Sequence, residues 1–210
     1  MYQVICFVAR EPGYRCLEAL ARSGRFRPRA VFSHRRKPAS EDPERTERED
    51  FRRFEDLCRE RAVPMHVKDT FREAADLCEL DQYEPFDFIV SCSWRFRIPL
   101  DALRKARLGT VNLHRGKLPD YRGAGPVKRA LIDGRDRIVL SAHVMEEEYD
   151  TGRLLAEASI RAERRPGETI DRATDRLKAG LLPFYAQTMF EALDVLVCEH
   201  GGVREYGGER

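Results

Sequence analysis

The stretch Val111-Asn-Leu-His-Arg-Gly-Lys-Leu-Pro-Asp-Tyr-Arg-Gly-Ala-Gly-Pro126 decides how the chain reads. Its start closes an apolar run over Gly109–Leu113, a strand pattern. Its middle is punctuated by glycine and proline, a loop. Its end opens a helix over Gly125–Ile132 with Pro126 in the first turn, where proline is tolerated. Strand, loop, helix is the repeating unit of an α/β sheet, and the same alternation continues outward. Upstream lie a strand over Tyr2–Ala9 and a helix over Tyr14–Arg22, with Leu17, Leu20 and Ala21 at helical spacing and Gly24 as its stop. A short strand over Ala30–Ser33 follows. Phe51, Phe54, Leu57 and Cys58 mark one helix face. A strand over Pro64–Val67, a helix over Phe71–Leu80, a strand over Phe86–Cys92 and a short helix over Leu100–Arg104 complete this half. Downstream, strands over Ile138–Met145 and Leu154–Ile160 sit close enough together to pair antiparallel, and Thr169–Val197 carries a long helical pattern. The expectation is an α/β fold with a mainly parallel, twisted sheet flanked by helices. Residues 1–200 read as a single catalytic domain and 201–210 as a frayed tail.

Composition narrows the class. The chain has 210 residues, 42% apolar and 35% charged, with a net charge of +2. That suits a globular protein with a large core and no global field to draw in nucleic acid or an anionic membrane. No apolar run reads as long enough to span a bilayer. Met1–Val8 lacks the positive start of a signal peptide. The charged stretch from Arg35 to Arg61 mixes both signs and reads as a solvated loop and helix face. Cysteines 6, 16, 58, 78, 92 and 198 form no Cys-x-x-Cys pair and no zinc spacing with histidine. Reduced thiols, a cytoplasmic location and no metal are expected.

The chemistry gathers at the end of the Gly109–Leu113 run. Period two along an extended chain places Asn112 and His114 on the same side, and open α/β sheets bind ligands beyond the carboxyl ends of their strands. An amide can donate to a developing oxyanion. An imidazole can hold or transfer a proton near neutral pH. Asp150, in Asp150-Thr-Gly152, can orient that imidazole or receive a proton. Amide, imidazole and carboxylate together suffice to move an acyl group onto an amine. Taken singly, Asn-x-His is common by chance, and Asp-Thr-Gly is a good turn sequence.

Together these motifs resemble the folate-dependent formyltransferase family, which includes methionyl-tRNA, glycinamide ribonucleotide and sugar N-formyltransferases. The family signature runs Asn-x-His-x-x-x-Leu-Pro-x-x-Arg-Gly, then glycine or alanine before proline. An Asp-x-Gly element follows about three dozen residues after the histidine; here it is Asp150-Thr-Gly152. The resemblance is good from Pro85 to Leu155. It implies a Rossmann-like formyltransferase fold with a long C-terminal helix, and Asn112, His114 and Asp150 as the catalytic trio. It implies 10-formyltetrahydrofolate as co-substrate. The pterin pocket would be formed by the backbone of a segment including Trp94, Arg95, Phe96, Arg97 and Ile98, and by a second with Glu146, Glu147, Glu148 and Tyr149. The residues alone leave core packing equally open for Trp94 and Phe96. By the same resemblance the acceptor amine attacks directly, Asn112 and protonated His114 stabilise the oxyanion, and Asp150 keeps the imidazole charged. His143 matches a position often histidine in the family and is assigned a structural role on its strand.

The departures concern the acceptor. Arg115-Gly116 stands where the family usually has Pro-Ser, and Lys117 where an apolar residue is common. The first loop, Arg10-Glu-Pro-Gly-Tyr14, lacks the glycine-rich phosphate cradle of the glycinamide ribonucleotide enzymes. The segment Phe86–Pro99 looks most like the sugar enzymes, which implies a small-molecule acceptor, an amino group on a nucleotide-linked sugar. Its anionic part is expected near Arg10, Tyr14, His34, Arg35, Arg115 or Lys117. Other amines remain open, as do hydrolysis of the formylated folate, a non-catalytic folate-binding module, and a homodimer built on the last helix.

Overall fold

The computed structural model describes residues 1–201, so the tail expected to fray lies, but for Gly201, outside the described residues. The strands are β1 (Tyr2–Val8), β2 (Phe26–Ser33), β3 (Met65–Val67), β4 (Phe86–Cys92), β5 (Ala106–His114), β6 (Arg137–His143) and β7 (Leu154–Arg161). The helices are α1 (Arg10–Arg22), α2 (Phe51–Glu60), α3 (Phe71–Ala75), α4 (Leu100–Leu103), α5 (Pro126–Ile132), α6 (Ile170–Leu181) and α7 (Tyr185–Glu199). One seven-stranded sheet runs β3-β2-β1-β4-β5-β6-β7. The pairs through β5 are parallel, and β5–β6 and β6–β7 are antiparallel.

The buried strands are apolar on both faces, as central parallel strands must be. Ile5, Phe7, Phe32 and Ile89 pack on one side with Leu80 and Phe86. Val4, Cys6, Val8, Phe88 and Val90 pack on the other, against α1 and α7. Local chemistry moves several boundaries. α1 begins four residues before the expected start, because Pro12 falls in its first turn, where no amide is missed. β2 likewise begins at Phe26; only Val31–Ser33 pair with β3, so Pro28 removes no ladder bond on that outer edge. The expected helix over Phe71–Leu80 stops at Ala75, where Asp76 turns extended and its carboxylate accepts the Cys78 amide at 3.3 Å. A 3₁₀ turn over Cys78–Tyr83 then leads into β4.

The long C-terminal helical pattern is realised as α6 and α7, separated by a 3₁₀ turn at Leu182–Phe184 that contains Pro183. By length and apolarity alone, Ile170–Glu199 would qualify to cross a membrane, contrary to the expectation that no segment does. Its apolar side chains are used otherwise: Tyr185, Met189, Leu193, Leu196 and Val197 are buried in the core beneath β5, β6 and β7.

Candidate active site

Strand ends converge on one edge of the sheet, and the candidate residues come from three of them. Parallel register sets Ser91 of β4 beside Asn112 of β5. Antiparallel register sets His143 of β6 directly opposite Asn112, and Ser141 opposite His114. The loop after β6 then returns Asp150, with φ of 56° in the left-handed region that aspartate tolerates. Gly152 makes that return feasible: a Cβ there would lie 1.9 Å from the Val144 carbonyl oxygen.

The three residues singled out by the motif meet. Asp150 Oδ2 lies 3.3 Å from His114 Nδ1 and accepts the Gly123 amide at 2.8 Å. Asp150 Oδ1 lies 3.3 Å from His143 Nε2 and accepts from Asn112 Nδ2 at 3.4 Å. Asn112 Nδ2 also lies 3.0 Å from His143 Nε2, the nitrogen that faces Asp150, while His143 Nδ1 donates to the Val144 carbonyl at 2.8 Å. His143 is thus a fourth member of the cluster, not merely a strand residue. The signal for it was the pairing register, which the close spacing of the two late strands hinted at but did not specify.

Burial and neighbours set the charges. Burial pushes the His114 imidazole below its ordinary range, against the opposing pull of Asp150 and the Tyr121 carbonyl. Burial alone would raise the Asp150 carboxyl, but its bonds to His143 and the Gly123 amide, with the His114 charge, hold it below the usual range. Burial thus favours the uncharged form of the His114 ring, while hydrogen bonds and neighbouring charge favour the ionised form of Asp150. The neutral ring donates from Nε2 to the Tyr121 carbonyl at 2.7 Å, which leaves Nδ1 as the basic nitrogen. Gly116 gives that bond room, since a Cβ there would sit 2.7 Å from His114 Nε2 and from the Tyr121 oxygen.

The cluster forms one wall of a cavity of about 520 Å³. Trp94, Arg95, Phe96, Arg97 and Ile98 line one side, and Glu146, Glu147, Glu148 and Tyr149 another. Two of these side chains are not simple walls. Trp94 stacks on His34 with centroids 4.1 Å apart and also packs edge-on against Phe7. Arg95 turns its guanidinium to the Arg36 and Asp69 carbonyls, at 2.7 and 2.8 Å, and so ties two loops together.

The expected acceptor residues scatter. Arg10, His34 and Arg115 line a second, adjoining cavity of about 780 Å³, and Arg115 lines both. His34 is not a cation there: burial pushes its imidazole down to about 3, Nδ1 donates to the Lys68 carbonyl, and Nε2 accepts the Arg95 amide. Tyr14 lines neither cavity; its ring meets Phe54 edge-on under the Arg53 guanidinium. Arg35 pairs with Glu55 above the Phe51 ring. Lys117 is exposed beside a separate cavity of about 130 Å³.

A family model described as formyl transferase matches residues 17–183. The chain belongs to the formyl transferase family. It is similar to the methionyl-tRNA formyltransferase of Staphylococcus epidermidis, 30% identical over 101 residues. That match covers 48% of this chain and 32% of the relative, so the chain aligns to about a third of the relative's length. Among solved structures, its fold is similar to glycinamide ribonucleotide transformylase 1 from Symbiobacterium toebii. The TM-score is 0.68 at 18% identity, over 99% of this chain and 92% of that one. A formyltetrahydrofolate deformylase from Pseudomonas syringae pv. tomato also has a TM-score of 0.68 at 18% identity, over 91% of this chain and 60% of that one.

Proposed function

We propose that the chain transfers a formyl group from 10-formyltetrahydrofolate to the amine of a small-molecule acceptor, a nucleotide-linked amino sugar. The observation that carries the transfer is Asp150 held between two imidazoles, with Asn112 bonded to the same carboxylate, at the wall of a cavity sized for a drug-like ligand. That cavity is bounded by segments 93–98 and 146–150, whose backbone amides and carbonyls suit the edges of a pterin. When bound there, the folate supplies the formyl carbon.

The residues of the chain would then act as follows. Asn112 donates to the oxygen of the formyl carbonyl as negative charge grows on it. That donation replaces its resting bond to Asp150. The attacking amine would form its bond to the formyl carbon and lose a proton to the neighbouring base, with His114 Nδ1 and Asp150 Oδ2 the two candidates, 3.3 Å apart; that proton would pass to N10 of the folate as its bond to the formyl carbon breaks, releasing tetrahydrofolate and the formylated amine. Once protonated, the imidazole has an acceptor at each nitrogen, Asp150 at Nδ1 and the Tyr121 carbonyl at Nε2, so the transient cation is solvated before it forms. His143 positions both Asn112 and Asp150. Residues 1–200 would constitute the catalytic domain, and the buried thiols of Cys6, Cys16, Cys58 and Cys92 suit a reducing, cytoplasmic compartment.

The test is absorbance-monitored turnover of 10-formyltetrahydrofolate with mass detection against nucleotide-linked amino sugars, glycinamide ribonucleotide and free amino acids. A formylated nucleotide sugar is the expected product. Formylation of a different amine alone would overturn the sugar assignment. Formate without any formylated amine would overturn transfer in favour of hydrolysis.

A further inference from the structure

The second cavity holds a group that the proposed chemistry does not use. Four arginines line it, Arg10, Arg48, Arg95 and Arg115. Arg10 is paired with Glu41, and Arg95 is bound to two carbonyls. Arg48 differs. It is 3% exposed, at the end of the β2–α2 connection, within the charged stretch that reads as solvated. Its guanidinium lies over the Phe51 and Phe54 rings, and Nε is 3.1 Å from Asp50 Oδ1. All three of its nitrogens, Nε, Nη1 and Nη2, are buried with no hydrogen-bond partner, so the Asp50 contact is an ion pair only. Burial pushes this guanidinium down; Asp50 opposes that, while Arg10 and Arg95 add repulsion. A buried cation among like charges, with its bidentate edge unpaired, is costly to keep unless an anion completes it.

The cavity also adjoins the candidate active site. Ser93, Trp94, Arg95 and Arg115 belong to both walls. The first loop offers no alternative anion cradle, because α1 opens with Arg10 and Glu11, and Pro12 has no amide hydrogen.

We propose that this cavity is the acceptor chamber and that Arg48 is its anion anchor, binding a phosphoryl or pyrophosphoryl group of the amine acceptor through Nη1 and Nη2. The assignment of the chamber rests on the transfer reading above; the anion site does not. A planar guanidinium suits two phosphate oxygens at once, and a dry setting strengthens the pair. Asp50 is the internal competitor that holds Arg48 when no anion is present.

Calorimetric titration with inorganic pyrophosphate tests the site on wild type, Arg48→Met and Asp50→Asn, each checked by thermal melting. Wild type should bind. Arg48→Met should weaken binding by about tenfold or more, since it removes both charge-assisted hydrogen bonds, and about tenfold is the effect of one. Asp50→Asn should tighten it, and this variant decides the matter if Arg48→Met does not fold. No binding to wild type, or equal binding by all three, overturns the proposal. Kinetics separate it from the transfer reading. Arg48→Met should raise KM for a phosphorylated acceptor with kcat little changed. If pyrophosphate binding depends on Arg48 but no amine is formylated, the anion site stands and transfer falls. If amines are formylated equally with and without a phosphoryl group, and Arg48→Met alters neither, transfer stands and the anchor falls.

Discussion

The two adjoining cavities differ in how their polar walls are satisfied. In the first, Asn112, His114, His143 and Asp150 bond to one another and to the Gly123, Tyr121 and Val144 backbone. In the second, Arg48 keeps three buried nitrogens without a hydrogen-bond partner. A self-satisfied cluster holds geometry for a reaction, and unpaired charge holds affinity for a ligand. Variants should therefore act on rate in the first cavity and on binding in the second.

The largest effect is expected at the centre of the first cluster. Asp150→Asn keeps the size of the side chain but removes its charge and the base beside His114. Single-turnover transfer should slow by about 10²–10⁴-fold, the usual contribution of a positioned acid–base group. The melting temperature should change little. A rate within tenfold of wild type would sink the assignment. His143→Ala, acting one contact further away, should lower the rate less and leave the KM for the acceptor unchanged.

The next effect separates backbone room from side-chain chemistry. Gly152→Ala places a methyl against the Val144 carbonyl, a backbone atom that cannot swing aside. Urea unfolding should show a loss of about 3 kcal/mol, the upper range for overpacking. Gly116→Ala is the milder clash, 2.7 Å from His114 Nε2, Pro126 Cβ and the Tyr121 carbonyl oxygen, so it should cost less stability and, by displacing the His114 ring, more rate. If both alanines unfolded the protein equally and spared the rate, the loops would be supporting the fold and not the cluster.

Legibility in the sequence follows the same division. Asn112 and His114 are readable because strand period and strand end coincide at β5; Asp150 is readable only by its spacing from His114 in the family signature, since Asp-Thr-Gly alone is equally a turn sequence. His143 was not, since its position opposite Asn112 is a matter of β5–β6 register, which no local pattern specifies. Arg48 was hidden for a different reason. A mixed-charge stretch normally faces water, and only the packing of Phe51 and Phe54 at the start of α2 draws this one guanidinium inward. The parallel half of the sheet was legible from its uniformly apolar strands. Helix boundaries were less so, because Pro12 and Asp76 act through single-residue geometry and not through periodicity.

His34 lines the second cavity, stacked on Trp94 of the shared wall, and its neutrality can be measured. Its folded imidazole titrates near 3 and an unfolded one near 6.5. Between those values the unfolded chain binds more protons, so stability is full above about pH 6.5 and falls as the pH drops. The slope from one such group approaches about 1.4 kcal/mol per pH unit. Urea unfolding at pH 7, 6 and 5 should show that decline, and His34→Gln should reduce its slope by about one group's share. An unchanged slope would mean that His34 is protonated in the folded protein, and that the second cavity carries one more cation than its hydrogen bonds imply.

The smallest effect is expected at Lys117, and it marks the outer limit of the second site. Its place in the sequence, three residues after His114, suggested an acceptor contact. The chain instead turns at Gly116, and Lys117 faces a third, smaller recess shared with Arg135 and Arg137. An exposed lysine outside both cavities contributes little to either stability or steering at physiological salt. Lys117→Ala should leave kcat and KM for the acceptor within about twofold of wild type, in the range of surface substitutions away from packed or bonded sites. Arg115→Ala, two residues earlier on the shared wall, should raise that KM well beyond this limit. Equal effects from the two would mean that the acceptor extends past Arg115 into the third recess, and that the second cavity is only part of its path.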